Sequence, residues 1–311
     1  MIDRKKQIKA DMLLVLVTLC WGTSYFMMDL CLEEMDPLTL NSYRFLGAFV
    51  VAALISFKRI RNVNKITLKY SFYISITLVL IYILATYGVR YTTQSNAGFF
   101  CATATIFTPI FVFIINRTAP GKKLAVVVVL CTVGIALMSL DSDMHMASGD
   151  ILCLLCGMSY SFDLIVTERA VRHEEVNAYQ IGVYQLGFTG VWMTILAFIL
   201  EEPCLPQTPA CWGSVAFLAI FCTGVAFIAQ SIAQQYTTAS HVGVIYALEP
   251  VFAGIVAFLF AGERLLPRAY FGAFLLLIGI LMMELDLKVI FKSKSTTESE
   301  SKTKSTSKQK P

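Results

Sequence analysis

The chain has 311 residues, of which 57% are apolar and 15% are charged, and its formal net charge is +4. A soluble domain carries about 25% charged residues, so the composition excludes an ordinary water-soluble protein and indicates a membrane protein. The three histidines are scattered, and the Gly-Lys-Lys sequence at 121–123 lacks the upstream Gly of a phosphate-binding loop. We therefore predict no metal site, no cofactor, no catalytic residues and no ATP-driven activity.

Ten apolar blocks follow along the chain, each near the ~20 residues that a helix needs to cross a bilayer. Open sheets cannot lie in hydrocarbon, so we predict an all-α integral membrane protein with ten transmembrane helices. The first block has no small-x-small cleavage site, which indicates an uncleaved helix rather than a secretory signal. The blocks are 11–30, 37–57, 71–89, 95–115, 124–140, 150–168, 179–200, 212–235, 239–261 and 269–287.

Basic residues alternate between the segments that connect the predicted helices. With a cytoplasmic N-terminus, 21 of the 25 Lys and Arg residues fall on the cytoplasmic side, whereas the loops at 31–36, 141–149 and 201–210 have none. Cytoplasmic loops of membrane proteins carry this excess of positive charge. We predict a multi-pass protein of the cell membrane, plasma or inner, with both termini cytoplasmic and a disordered Ser/Thr/Lys-rich tail at 288–311.

Two parts of the sequence are near-copies of each other. Tyr91-Thr-Thr-Gln-Ser-Asn-Ala-Gly98 matches Tyr236-Thr-Thr-Ala-Ser-His-Val-Gly243, and the Asp11-to-Trp21 spacing recurs from Asp150 to Tyr160. Five helices per copy is an odd number, so the second copy must enter the membrane from the opposite side. This pattern predicts two inverted five-helix repeats, an arrangement typical of secondary transporters that bind their substrate between the repeats.

The residues within these repeats also carry a family resemblance. Residues 247–266, ALEPVFAGIVAFLFAGERLL, look like the C-terminal half of an EamA unit, and Trp21-Gly-Thr-Ser-Tyr-Phe26 with Arg44-Phe45 looks like the N-terminal half. The chain thus resembles the EamA family of the drug/metabolite transporter (DMT) superfamily. The resemblance implies two EamA domains, which we place at 1–142 (helices 1–5) and 143–287 (helices 6–10). It also implies a transporter of amino acids, sugars, nucleotide derivatives or drugs, often directed outward.

One spacing departs from the symmetry of the two repeats. Thr92 and Pro109 are four residues further apart than Thr237 and Pro250. This difference predicts an extra helical turn before the proline of the first repeat.

Polar residues inside the apolar blocks indicate where a substrate would bind, because each is costly in hydrocarbon without a partner or a wet cavity. Arg44 either contacts an anionic group of the substrate or is held by helix carbonyls. Asp163 matches Ser24 in the repeat alignment and is a cavity candidate. Glu249 precedes the helix-breaking Pro250 and either packs helices or contacts the substrate. The full set of cavity candidates is Trp21, Ser24, Arg44, Asn96, Tyr160, Asp163, Gln230, Gln234, Tyr246 and Glu249.

These observations predict a secondary transporter that exports a small, amino-acid-like metabolite by alternating access. Its partners would be the small-molecule substrate, the lipid bilayer and a coupling proton at Asp163 or Glu249, with no nucleic acid, in a monomer or homodimer. The alternative to proton coupling is facilitated diffusion, in which transport uses no coupling ion. Uptake or exchange of phosphorylated sugars or nucleotides fits the same pattern, and so does a membrane sensor or enzyme without transport. The sequence leaves open whether Cys204 and Cys211 form a disulfide.

Overall fold

The computed structural model describes residues 4–117, 121–139, 147–262 and 267–284, and the predicted tail at 288–311 lies outside them. Every regular element in these ranges is helical. The α-helices are α1 (Arg4–Leu32), α2 (Pro37–Ile60), α3 (Lys65–Arg90), α4 (Gln94–Cys101), α5 (Ala104–Asn116), α6 (Lys122–Ser139), α7 (Ser148–Val171), α8 (Ala178–Leu200), α9 (Pro209–Phe217), α10 (Ala226–Ala233), α11 (Ala239–Tyr246), α12 (Glu249–Val256) and α13 (Pro267–Glu284).

Eight spans in the described residues are long and apolar enough to cross a membrane. The pairs α4 with α5, α9 with α10 and α11 with α12 each contribute to one such span. The other two predicted blocks correspond to α6 and to α13, which pack against each other and include a shorter apolar run at Tyr270–Gly279. The predicted all-helical membrane class is therefore confirmed, and eight of the ten predicted blocks contain a helix of this length and composition.

The repeated Tyr-Thr-Thr motif marks the start of a helix in each repeat. Its second threonine is the N-cap residue: Thr93 accepts a hydrogen bond from the Asn96 backbone N–H at 3.2 Å, and Thr238 accepts one from His241 at 3.3 Å. An N-cap side chain satisfies a backbone donor that the helix leaves unpaired, and this matters most where water is scarce.

The helix that follows the motif is broken at the same place in both repeats. α4 ends at Cys101, ten residues after Tyr91, and α11 ends at Tyr246, ten residues after Tyr236. Pro250 lies at the start of α12, whereas Pro109 lies inside α5. The four extra residues form an additional turn of α5 before Pro109, as the spacing predicts, while the break itself stays at the same place in both repeats.

A π-helical segment, Leu218–Val225, joins α9 to α10, and a second, Ala257–Ala261, follows α12. In the first, the Ala226 N–H bonds to the Phe221 carbonyl five residues earlier instead of the Cys222 carbonyl four residues earlier. The Cys222 carbonyl accepts hydrogen bonds from Trp21 Nε1 at 2.8 Å and from Arg44 Nη2 at 3.3 Å. Single-turn π-bulges occur frequently at functional sites, where they redirect backbone groups.

The contacts define two ends of the helix bundle. At the N-terminal end, Arg172 at the end of α7 donates to the Thr237 carbonyl, and Gln180 at the start of α8 donates to the Arg59 carbonyl at the end of α2. At the opposite end, the Glu201 carboxylate accepts from the Leu38 and Thr39 backbone N–H groups at the start of α2. Lys6 Nζ of α1 lies 5.9 Å from the centre of the Tyr236 ring, so the first helix begins at the end where the seventh helix finishes.

Candidate functional site

Both halves of the chain line a cavity in the middle of the bundle. Its volume is about 50 Å³, which is room for a few water molecules. α1 to α4 form one side, and α7, α10 and α12 form the other. The lining residues are Trp21, Ser24, Tyr25, Met28, Arg44, Ile81, Tyr82, Ala85, Cys101, Cys156, Tyr160, Phe227 and Glu249.

Aromatic rings surround Trp21 at the centre of the site. Its ring centroid lies 4.9 Å from Tyr246, 5.4 Å from Phe227 and 5.7 Å from Tyr160. Tyr160 and Tyr246 are stacked at 5.8 Å, and the Tyr160 hydroxyl donates to Gln230 Oε1 at 3.1 Å. Trp21 and Tyr160, which the repeat alignment equates, thus contact each other from opposite halves. These rings supply a large apolar surface with polar edges, which suits an amphipathic ligand.

Arg44 is 1% exposed and lies in the cavity wall on α2. Its Nε donates to Thr223 Oγ1 at 2.5 Å, and its guanidinium carbon lies 4.7 Å from the centre of the Tyr82 ring. No ion pair among the described residues includes Arg44. Its positive charge therefore meets hydroxyl, sulfur, carbonyl and π-electron partners without a neutralising carboxylate, which is costly unless a ligand supplies the anion.

Glu249 contributes a carboxyl group to the same cavity. It lies at the start of α12, directly after the helix break, and its Oε1 accepts a hydrogen bond from the Tyr25 hydroxyl at 2.5 Å. The break therefore positions a carboxyl group and the first turn of a helix at the cavity. Among the described residues that line the cavity, Arg44 is the one cation and Glu249 the one carboxyl group.

Asp163 is buried on α7 but does not line this cavity. Its Oδ1 lies 2.6 Å from Thr77 Oγ1, and that hydroxyl also lies 2.7 Å from the Ile74 carbonyl. A threonine hydroxyl has one hydrogen for these two contacts. When the hydrogen points to Ile74, the contact with Asp163 requires a protonated carboxyl that donates to Thr77.

The remaining predicted residues divide between the cavity and its surroundings. Trp21, Ser24, Arg44, Tyr160 and Glu249 line it, and Tyr246 and Gln230 contact residues that line it. Gln234 donates to the Leu164 carbonyl, and Asn96 donates to Asp150 at the end of the bundle opposite the N-terminus.

Four lining residues that were not among the sequence candidates complete the cavity wall: Tyr25, Tyr82, Phe227 and Cys101. No signal in the sequence separates these four residues from the other aromatic and thiol side chains of the apolar blocks, because Tyr25 and its neighbour Ser24 point in different directions on a helix.

The cysteines do not form a recognisable chemical centre. All nine are free thiols, including Cys204 and Cys211, and Cys204 Sγ contacts the Glu34 carbonyl at 3.6 Å. No group of three His, Cys, Asp or Glu side chains among the described residues is arranged to hold a metal ion.

Contacts at the end opposite the N-terminus join the connection after α1 to the connection before α9. Glu34, after α1, accepts hydrogen bonds from the Thr208 hydroxyl and from the Gln207 backbone N–H at 2.8 Å, before α9. These hydrogen bonds hold the pKa of Glu34 below its usual value. The two contacts join the first half of the chain to the second.

The comparisons with known proteins agree with this architecture. The sequence profile of the EamA-like transporter family matches residues 8–140 and again residues 147–285. The chain belongs to the EamA-like transporter family. An uncharacterized transporter of Archaeoglobus fulgidus is 30% identical over 287 residues, which is 90% of this chain and 87% of that protein. The uncharacterized transporter YoaV of Bacillus subtilis is 22% identical, covering 88% of this chain and 96% of that protein.

A solved crystal structure has the same fold as this EamA-family chain. The two align with a TM-score of 0.72 at 14% sequence identity, over 88% of this chain and 96% of the other. At this identity the likeness shows the fold alone.

Proposed function

We propose that this protein is a secondary transporter that exports a small polar or amphipathic metabolite of the amino-acid type from the cell by alternating access. Its membership of a transporter family supports transport, and a cavity lined by both repeats supports a substrate site between them. Outward movement is the direction that the resemblance to drug/metabolite transporters favours.

The presence of Arg44 and Glu249 in one cavity is the observation that supports an amino-acid-like substrate. A free amino acid presents a carboxylate and an ammonium group a few ångströms apart, and a cavity with one cation and one carboxyl group complements both. The aromatic wall around Trp21 would receive the side chain. A phosphorylated sugar or nucleotide carries about two negative charges on its phosphate, and Arg44 alone matches it less well.

The size of the cavity supports alternating access. A pocket for a drug-sized ligand measures about 300–1,000 Å³, whereas this one measures about 50 Å³. A small cavity is what we expect of a contracted state, in which substrate entry would require the helices on one side to separate.

We further propose that the chain crosses the membrane ten times in two inverted repeats. α6 and α13 would be the fifth helices of the repeats, and their mutual packing supports this pairing. The N-terminal end would be cytoplasmic, because fourteen of the described Lys and Arg residues lie in the helix ends and connections at that end.

Counterflow in proteoliposomes tests the proposal. Vesicles are preloaded with one unlabelled neutral amino acid at a time. They should accumulate the labelled form of that amino acid, and Arg44→Gln should abolish this accumulation. The exposed Arg169 provides the control, because Arg169→Gln leaves the cavity intact. Exchange of sugar phosphates without amino acids would favour the second substrate class. Stoichiometric binding without exchange would indicate a sensor, and chemical conversion of the ligand an enzyme.

The same vesicles test proton coupling. If Asp163 carries the coupling proton, Asp163→Asn should abolish accumulation driven by a pH gradient while counterflow continues. If Glu249 carries it, Glu249→Gln should have this effect. Gradient-independent transport in the unmodified protein would indicate facilitated diffusion.

A further inference from the structure

A buried acid–histidine contact joins the two repeats at the N-terminal end of the bundle. His241 Nε2 on α11 lies 3.3 Å from Asp11 Oδ1 on α1, with side-chain exposures of 9% and 8%. α1 belongs to the first match of the family profile and α11 to the second. Any movement that opens this end by separating the two helices must also separate these two side chains.

The opposite end has the equivalent contact with different chemistry. In the repeat alignment, Asp11 corresponds to Asp150 and His241 corresponds to Asn96. Asn96 Nδ2 on α4 lies 3.4 Å from Asp150 Oδ1 on α7, so this contact also joins the two repeats. Each end of the bundle is thus bridged by an aspartate from one repeat and a side chain from the first turns of the broken helix of the other.

The two bridges differ in how they respond to pH. An asparagine amide remains neutral and keeps its N–H donors at any physiological pH. A histidine has an unperturbed pKa near 6.5 and is the side chain whose charge changes most readily under these conditions. Protonated His241 forms an ion pair with Asp11. Neutral His241 with its proton on Nδ1 would instead direct the Nε2 lone pair at the carboxylate.

Among the residues that the structure describes, charged groups on the neighbouring elements are paired or exposed. On α7, Glu168 accepts from the Ala239 backbone N–H at 2.7 Å and forms an ion pair with Arg172 at 2.8 Å. The elements packed around the pair carry exposed lysines at the same end, and α5 presents a threonine hydroxyl to α11. These lysines are Lys5, Lys6 and Lys9 on α1 and Lys122 and Lys123 on α6.

We propose that Asp11 and His241 form a proton-binding site that holds the N-terminal end of the transporter closed. The proton is bound while the two side chains are in contact and is released when the helices separate and water reaches both. Protonation therefore favours closure of this end, and proton loss favours its opening. The inference rests on the proposed alternating-access function but assigns the proton to a pair outside the substrate cavity.

Histidine NMR tests the proton site without any transport substrate. The chain has three histidines, so protein with ¹³C-labelled imidazole carbons should give three resonances, and the one lost in His241→Asn identifies His241. Asp11→Asn should lower the titration midpoint of His241, because an adjacent carboxylate stabilises the protonated imidazole. The resonance of the exposed His173 is the internal control. A His241 midpoint that Asp11→Asn leaves unchanged would refute the site.

Distance measurements test whether the site controls closure. Spin labels at Lys9→Cys on α1 and Arg169→Cys on α7, in a cysteine-free background, report separation at the N-terminal end. The unmodified site should give one short-distance population at about pH 5.5 and an added longer-distance population at about pH 8, spanning the histidine range. His241→Asn reproduces the bridge of the opposite end and should give the same distribution at both pH values. His173→Asn should retain the pH response.

The two measurements separate this inference from the proposed function. A distribution that does not change with pH, although His241 titrates as expected, would contradict the gate and leave the transport proposal standing. Absence of counterflow in vesicles, with the NMR and distance results as expected, would contradict the transport proposal and leave the proton-dependent closure standing.

Discussion

Arg44 shows how far single residues can be interpreted from the sequence. It is the one charged residue of α2 away from the end of that helix, and an ionisable group within an apolar block indicates a functional position. The same reasoning selected Glu249, and the structure brings the two together in one cavity. The partners of Arg44 were not predictable, because Thr223 and the Cys222 carbonyl reach it through the π-helical segment from 178 or more residues away.

The first prediction concerns the planar shape of the Arg44 side chain. If Arg44 binds a substrate carboxylate, Arg44→Lys should weaken transport about 10-fold or more, since lysine cannot form the paired hydrogen bonds of a guanidinium. Arg44→Gln should weaken it further because the charge is lost. Uptake rates in vesicles with matched protein content measure both effects, and Arg169→Lys provides an exposed control. Normal transport by both Arg44 variants would exclude Arg44 as a substrate ligand.

At the scale of elements, the length of the apolar blocks predicted the helices, whereas the interruptions within these helices could not be predicted from the sequence. The break after α4 at Ala102 and Thr103 has no glycine or proline at it, and the π-helical segment Leu218–Val225 has an ordinary apolar sequence. Both depend on tertiary contacts that stabilise a backbone group displaced from its position in a regular helix. The break in the first repeat, for example, packs directly against Gly157 of α7.

The second prediction uses that contact. A Cβ atom at Gly157 would lie 2.8 Å from the Phe100 carbonyl, 3.0 Å from the Cys101 carbonyl and closer still to Thr103 Oγ1. Because backbone atoms cannot move aside easily, Gly157→Ala should destabilise the protein by about 1–3 kcal/mol. The expected readout is a lower thermal unfolding temperature in detergent. Gly213→Ala is the matched control, since nothing lies within 4 Å of its Cβ position. Equal unfolding temperatures would mean that α7 can move away from the break.

At the scale of the whole molecule, repeat symmetry connects the cavity to the two ends. The aligned residues Trp21 and Tyr160 meet in the centre, and the aligned pairs Asp11–His241 and Asp150–Asn96 bridge the two repeats at opposite ends. The two repeats were predictable from the sequence because the same motifs occur in each half of the chain. The sequence could not predict which residues of one repeat contact the other, since those contacts exist only after the two repeats have packed.

The third prediction concerns the direction in which this doubled structure crosses the membrane. The excess of Lys and Arg at the N-terminal end predicts that the connection between α2 and α3 is cytoplasmic and that the connection between α8 and α9 is outside. Asn62 and Gln207 are exposed residues of these two connections. In a cysteine-free background, Gln207→Cys should react with a membrane-impermeant maleimide on intact cells, whereas Asn62→Cys should react only after permeabilisation. The reverse pattern would place the proton-dependent bridge of Asp11 and His241 on the outer face, where it would sense external rather than cytoplasmic pH.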